Sequence, residues 1–135
     1  MGLILVALLI IACILFGLKE YFRTPRSMMN AKADWAGSDR ELATAFEINE
    51  KAANARYLGK VLQVTGFIDN VSSEGDSIFN LVLGVEQEAK VSCTMSPSQN
   101  ENVRKLRIGD RVSIRGECAG YLADVELNRC VLVKQ

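Results

Sequence analysis

Histidine is absent from these 135 residues, proline occurs twice and tryptophan once. The missing imidazole excludes Ser-His-Asp and Cys-His catalytic pairs, a mixed Cys/His zinc site and a haem held by a proximal histidine. A dominant charge sign is missing too, because 16 Lys+Arg face 16 Asp+Glu. Such a chain lacks the long-range field that draws proteins onto phosphate backbones. Neither a phosphate-cradling G-x-x-x-x-G-K nor a G-x-S-x-G nucleophile turn occurs. Asp124 and Glu126 stand at i,i+2 in a strand-like stretch and so share a face, but solvated strand charges are the common fate of such a pair. The residues specify no catalytic, metal or cofactor site, and the chain is read as a non-enzyme.

What is present is apolar surface, 49% of residues, and it is unevenly spread. Residues 1–18, MGLILVALLIIACILFGL, carry no charged side chain, and the first is Lys19. As a helix this run spans roughly 27 Å, about one hydrocarbon core. It has no polar stripe for a soluble helix to show to water. A single-pass N-terminal anchor over 1–18 is expected. The alternatives are a cleaved signal or lipidation at Cys13, within the box Ile10-Ile11-Ala12-Cys13. Lys19, Arg23, Arg26 and Lys32 all follow the span, which by the positive-inside rule leans towards a cytoplasmic domain. Residues 19–37 lack periodicity and are expected to form a juxtamembrane linker, with Tyr21, Phe22 and Trp35 available to the interface.

The domain is expected over 38–135. Ser38-Asp39-Arg40-Glu41 is an S-x-x-E capping box opening one helix to about Tyr57, with Leu42, Phe46, Asn49, Ala53 and Tyr57 near one face. Gly59 stops it. After that the period changes from 3.6 to 2. Five short strands follow, over about 60–71, 77–83, 89–95, 111–118 and 124–133. A phase change in the last one, from Val125 and Leu127 to Cys130 and Leu132, predicts a bulge near Asn128-Arg129. One helix with five strands grouped three and two fits a mainly β, five-stranded Greek-key OB barrel, in which closure removes sheet edges. A plain meander or an SH3-like barrel is the alternative.

Two stretches carry a family resemblance. Leu42-x-x-Ala45-Phe46-x-x-Asn49-Glu50 through Tyr57-x-Gly59-Lys60-Val61-Leu62-x-Val64-x-Gly66 resembles the start of the tRNA_anti-like OB-fold family. Leu106-x-x-Gly109-Asp110-x-Val112-x-Ile114-x-Gly116-x-Cys118, then Asp124-Val125-x-Leu127-x-x-Cys130, is similar to its ending. The resemblance implies a small bacterial protein with one OB domain after a membrane segment or lipoprotein signal. It supplies no catalytic residues. It also implies a domain outside the cytoplasm, against the charge rule, so the side stays open.

An OB domain binds single strands through aromatic platforms and basic grooves. Here residues 57–135 hold nine Lys+Arg against ten Asp+Glu. The face formed by the second and third strands would present Ile78, Asn80, Val82, Lys90, Ser92 and Thr94, with no aromatic and one cation. Phe67 and Tyr121 are the stacking candidates, and with Lys90 and Arg115 they make the candidate ligand face. Cys93, Cys118 and Cys130 occupy core-facing positions, with 24 and 11 residues between them, spacings that do not suit zinc. In an oxidising compartment one disulfide would form; Cys93–Cys130 is a candidate because these strands neighbour each other in an OB barrel, though three pairings are possible. The expected function is a non-catalytic, membrane-anchored binding or interaction module with a protein or small-ligand partner. The alternatives are a single-stranded nucleic-acid binder and a stress-related envelope protein taking a small cationic ligand.

Overall fold

The computed structural model describes residues 1–21 and 28–133. Phe22, with Arg23 and Arg26, lies outside the described residues. Helix α1, Gly2–Tyr21, is long and apolar enough to cross a membrane, and none of its apolar window is buried against protein. At 20 residues it is about 30 Å long.

Strand β1, Trp35–Ser38, corrects the expectation of a linker running to residue 37. Nothing in Trp-Ala-Gly-Ser alternates, so the strand comes from its partner. It runs parallel to β2, Val61–Glu74, in the register Trp35↔Leu62 to Ser38↔Thr65. The first half of β2 would otherwise leave one edge unpaired. Asp34 locks the junction, donating its amide to the Val61 carbonyl at 2.8 Å while its carboxylate accepts the Val61 amide at 3.0 Å. The Trp35 ring meets Tyr57 edge-on at 5.4 Å, so it packs on the domain.

The single helix expected over 38–57 is two helices. Ser38 caps α2, Asp39–Ile48, by accepting the Glu41 amide. At Asn49 the backbone becomes extended (φ −156°, ψ 93°), and its side chain caps α3, Glu50–Tyr57, from the Ala52 amide. Asparagine offers the backbone a side-chain acceptor in place of a helical one, which turns a mid-helix position into a cap. Glu47, near the end of α2, accepts the Ala89 amide. Leu42, Phe46, Ala53 and Tyr57 remain on the buried side. Gly59, at φ +76°, takes the left-handed conformation that ends the helical segment.

The β2 strand continues into β3, Ile78–Leu83, and β4, Val91–Met95, as an antiparallel meander. A short turn and α4, Asn100–Arg104, lead to β5, Arg111–Leu122, which pairs with β2, and to β6, Asp124–Val133. Antiparallel β5–β6 and parallel β4–β6 pairings close five strands into a barrel. The expected alternation holds: Leu62, Val64, Ile68, Leu81, Leu83, Val91, Cys93, Ile114, Val125 and Leu127 are fully buried. The expected bulge is at Asn128-Arg129, where Arg129 has φ 53° and the β4 register jumps from Leu127 to Cys130. Gly116 lies across from it, and a Cβ there would stand 2.5 Å from the Cys130 Sγ. Only glycine lets the bulge close on β5.

Candidate binding faces of the barrel

The outer surface has two faces of different character. The first is the outward side of β2 beyond its bulge, with β3, β4 and the start of β6. A register shift between Ile68 and Asn70 leaves Asp69 unpaired in the ladder. Its carboxylate meets the Lys90 Nζ at 2.5 Å. Asn80 and Ser92 hydrogen-bond across β3–β4 through both amide atoms of Asn80, and Thr94 stands opposite Asn80. Asp124 accepts the Lys90 amide, and Glu126 lies beside Ser92. Burial first, then the Asp124 carboxylate, push the Glu126 pKa up, against a lowering hydrogen bond from Ser92. Hydroxyls, amides and carboxylates line this face beside the apolar Ile78 and Val82, and its one lysine is already neutralised.

The second face is the outward side of early β2, β5 and late β6. Arg115, a sequence candidate for ligand contact, is committed here to the protein's own backbone. Its Nη1 donates to the carbonyls of Met28, Met29 and Ala31 at 3.3, 3.3 and 2.9 Å, and its Nη2 to Gln63 at 2.9 Å. Beneath this clasp Met28 and Ala31 bury against Val61 and Val131. Residues 28–31 thus form a strap on the barrel wall, and beside it Met29, Gln99, Asn102 and Val131–Val133 line an open cavity of about 570 Å³. Further along, Phe67 stands opposite Arg111 and is 51% exposed.

The four sequence candidates do not converge. Lys90 belongs to the first face, and Phe67 and Arg115 to two places on the second. Tyr121 stacks on Phe46 at 5.4 Å in a cleft of about 390 Å³ that Glu47, Glu50 and Glu88 also line. Asp69 and the strap escaped sequence reasoning, whereas Glu126 was read there with Asp124 as a solvated strand pair. A bulge position and a contact to backbone carbonyls leave no side-chain signature. Cys93 and Cys130 are brought together in the core as free thiols, fully buried; the contact with Cys93 and then burial raise the Cys130 pKa well above its ordinary range. Burial raises that of Cys118. Among the described residues no cluster of three or more acidic or cysteine side chains is placed to hold a metal ion.

A closed five-stranded barrel with a parallel closing pair and a helical insertion between β4 and β5 makes this an OB-fold protein. The tRNA_anti-like family profile matches residues 1–132, and the chain belongs to that family. No curated protein sequence matches it. Among solved structures it is similar to a Klebsiella pneumoniae protein named a "putative nucleic acid-binding lipoprotein", at TM-score 0.62 and 19% identity, covering 73% of this chain and 91% of that one. It is also similar to a "putative aspartyl-tRNA synthetase" of Leishmania major, at TM-score 0.51 and 11% identity, over 88% of this chain and 26% of the synthetase. Both likenesses concern the fold.

Proposed function

We propose that this chain is a membrane-tethered, non-catalytic OB module that binds a protein or small polar ligand on the β2–β3–β4 face. The observation that supports this reading is the chemistry of that face: Asn80, Ser92 and Thr94 offer hydrogen bonds, Asp124 and Glu126 add negative charge, and Lys90 is tied to Asp69. Stacked bases need exposed rings, and phosphates need free cations. This face presents neither among the described residues. The tether is α1, by its length and composition.

Fluorescence anisotropy with labelled single-stranded DNA and RNA tests this. At about 50 mM salt, where electrostatic binding is strongest, no saturable rise is expected up to roughly 0.1 mM protein. Saturable binding that weakens steeply with added salt would overturn the reading in favour of a single-stranded nucleic-acid binder. That second reading draws on the printed name of the Klebsiella protein and on the run Arg104, Lys105, Arg107 and Arg111.

A further inference from the structure

Two cations of the basic run, Arg107 and Arg111, and two exposed apolar side chains, Phe67 and Ile108, fall on one surface. Gly109 donates its amide to the Ile68 carbonyl at 2.7 Å, and Ile68 donates to the Asp110 carbonyl at 2.9 Å. These two bonds pin the 107–110 turn beside Phe67, whose ladder partner is Arg111. Ile108 at the tip of that turn is 68% exposed. Arg107 and Arg111 form no ion pair with any described residue, and Asp110 is turned back to accept the Arg107 amide. Arg104 leans over the Phe79 ring at 5.5 Å, and Lys105 is exposed. Isolated exposed apolar residues are ordinary; two large ones ringed by unpaired cations are not.

The strap reaches this same wall of the barrel. It carries Met29, 57% exposed, at the Val61 end of β2, and Phe67 lies six residues along, about 20 Å away. Seven residue steps separate Tyr21, the last residue of α1, from Met28, so the tether spans at most about 25 Å. A tether that short keeps this wall, with Met29, Phe67 and Ile108, within reach of a bilayer that α1 crosses.

We propose that the outer face of early β2 and β5, through Phe67, Ile108, Arg107 and Arg111, docks on the anionic lipid surface of the membrane that α1 anchors. The Phe67 ring and the Ile108 side chain enter the headgroup boundary while the arginines meet lipid phosphates. Docking on this wall leaves the β2–β3–β4 face directed away from the lipid. The inference rests on the reading of α1 as a membrane anchor.

The test uses the full chain reconstituted in vesicles, with Ile108→Cys carrying an environment-sensitive fluorophore in a Cys13→Ser background. In phosphatidylcholine vesicles containing phosphatidylglycerol, the fluorophore should shift to the blue and be quenched by a lipid-borne nitroxide. In phosphatidylcholine alone, an aqueous quencher should reach it instead. Replacing Arg107 and Arg111 with glutamine should lower the docked-to-undocked ratio about thirty-fold, from the worth of two basic residues at an anionic surface. A fluorophore that stays aqueous in both vesicle types would overturn the proposal. Shielding by a single-stranded oligonucleotide without any response to anionic lipid would also overturn it, assigning the patch to nucleic acid. Alkaline extraction separates the two readings. A chain released from the vesicles loses the anchor and the docking face together, whereas a chain retained with an aqueous Ile108 site loses only the docking face.

Discussion

The two outer faces of one barrel solve the same problem, charged and polar side chains on a β-surface, in opposite ways. On the β2–β3–β4 face the one cation is answered within the face, and Asp124 and Glu126 remain as acceptors. Asp69 holds Lys90, and the Asn80–Ser92 pair closes on itself. On the β2–β5–β6 face Arg115 is answered only by neutral oxygens, those of the Gln63 side chain and of a segment from outside the barrel, while Arg107 and Arg111 have no acidic partner among the described residues. A face with no cation to spare is suited to hydrogen bonding of a polar ligand and not to phosphate. A face that leaves cations over borrows its complement from elsewhere: backbone in the case of Arg115, lipid phosphate in the proposal above.

The largest expected effect breaks the second face. Arg115→Ala removes hydrogen bonds from a charged donor to three carbonyls and to Gln63. A loss of about 2–3 kcal/mol is expected in chemical denaturation. The strap should also open, with faster amide exchange at Val61, whose amide bonds Asp34 just beyond it. Arg115→Lys should recover little, because a single ammonium cannot fork between the strap and Gln63. Unchanged stability and unchanged exchange would mean that burial of Met28 and Ala31 holds the strap without the guanidinium.

A smaller effect is expected on the first face. Both partners of the Lys90–Asp69 pair keep 29% of their side-chain surface in water, so Lys90→Ala should change stability by less than about 1 kcal/mol. It should instead leave Asp69, Asp124 and Glu126 without a cation between them and deepen the negative potential there. A loss as large as that of Arg115→Ala would end the contrast between the faces.

How much of this was legible in the sequence follows from where the signals lie. Strand alternation is carried by the side chains themselves, so Leu62, Val64, Ile68, Leu81, Cys93 and Ile114 could be assigned inward from their spacing, and the phase slip after Leu127 marked the bulge. The break at Asn49 was hidden because asparagine also occurs inside helices, and the competing cap shows only in the backbone. Strand β1 was hidden for another reason: its residues have no β pattern, and it exists because early β2 has an edge to fill. The destination of Arg115 was invisible, since a carbonyl acceptor looks the same under every residue type. The sequence therefore located the arginine but not its use.

The smallest expected effect concerns Asp39, which joins the two halves of the chain by sitting on Gly66, where a Cβ would lie 2.5 Å from its Oδ2. Its Oδ1 accepts the Arg40 amide at 2.8 Å and its Oδ2 the Gln87 side chain at 3.3 Å. Burial outweighs these bonds and raises its pKa above the ordinary 3.8. The folded chain then binds the Asp39 proton more tightly than the unfolded chain does. This contribution to stability is complete below pH 3.8 and declines as pH rises from there through the folded value. Asp39→Asn keeps an acceptor for the Arg40 amide and removes the titration. The variant should match or exceed the parent near neutral pH, by less than about 1 kcal/mol, and lose that advantage as the solution is acidified. Glu126→Gln, on the other side of the barrel, should behave the same way from its ordinary value of 4.5, because burial and Asp124 raise its pKa too. Urea midpoints of the parent and both variants across the acid range decide it. A parent that loses stability relative to Asp39→Asn on acidification would show that the Arg40 and Gln87 bonds, and not burial, govern this carboxylate.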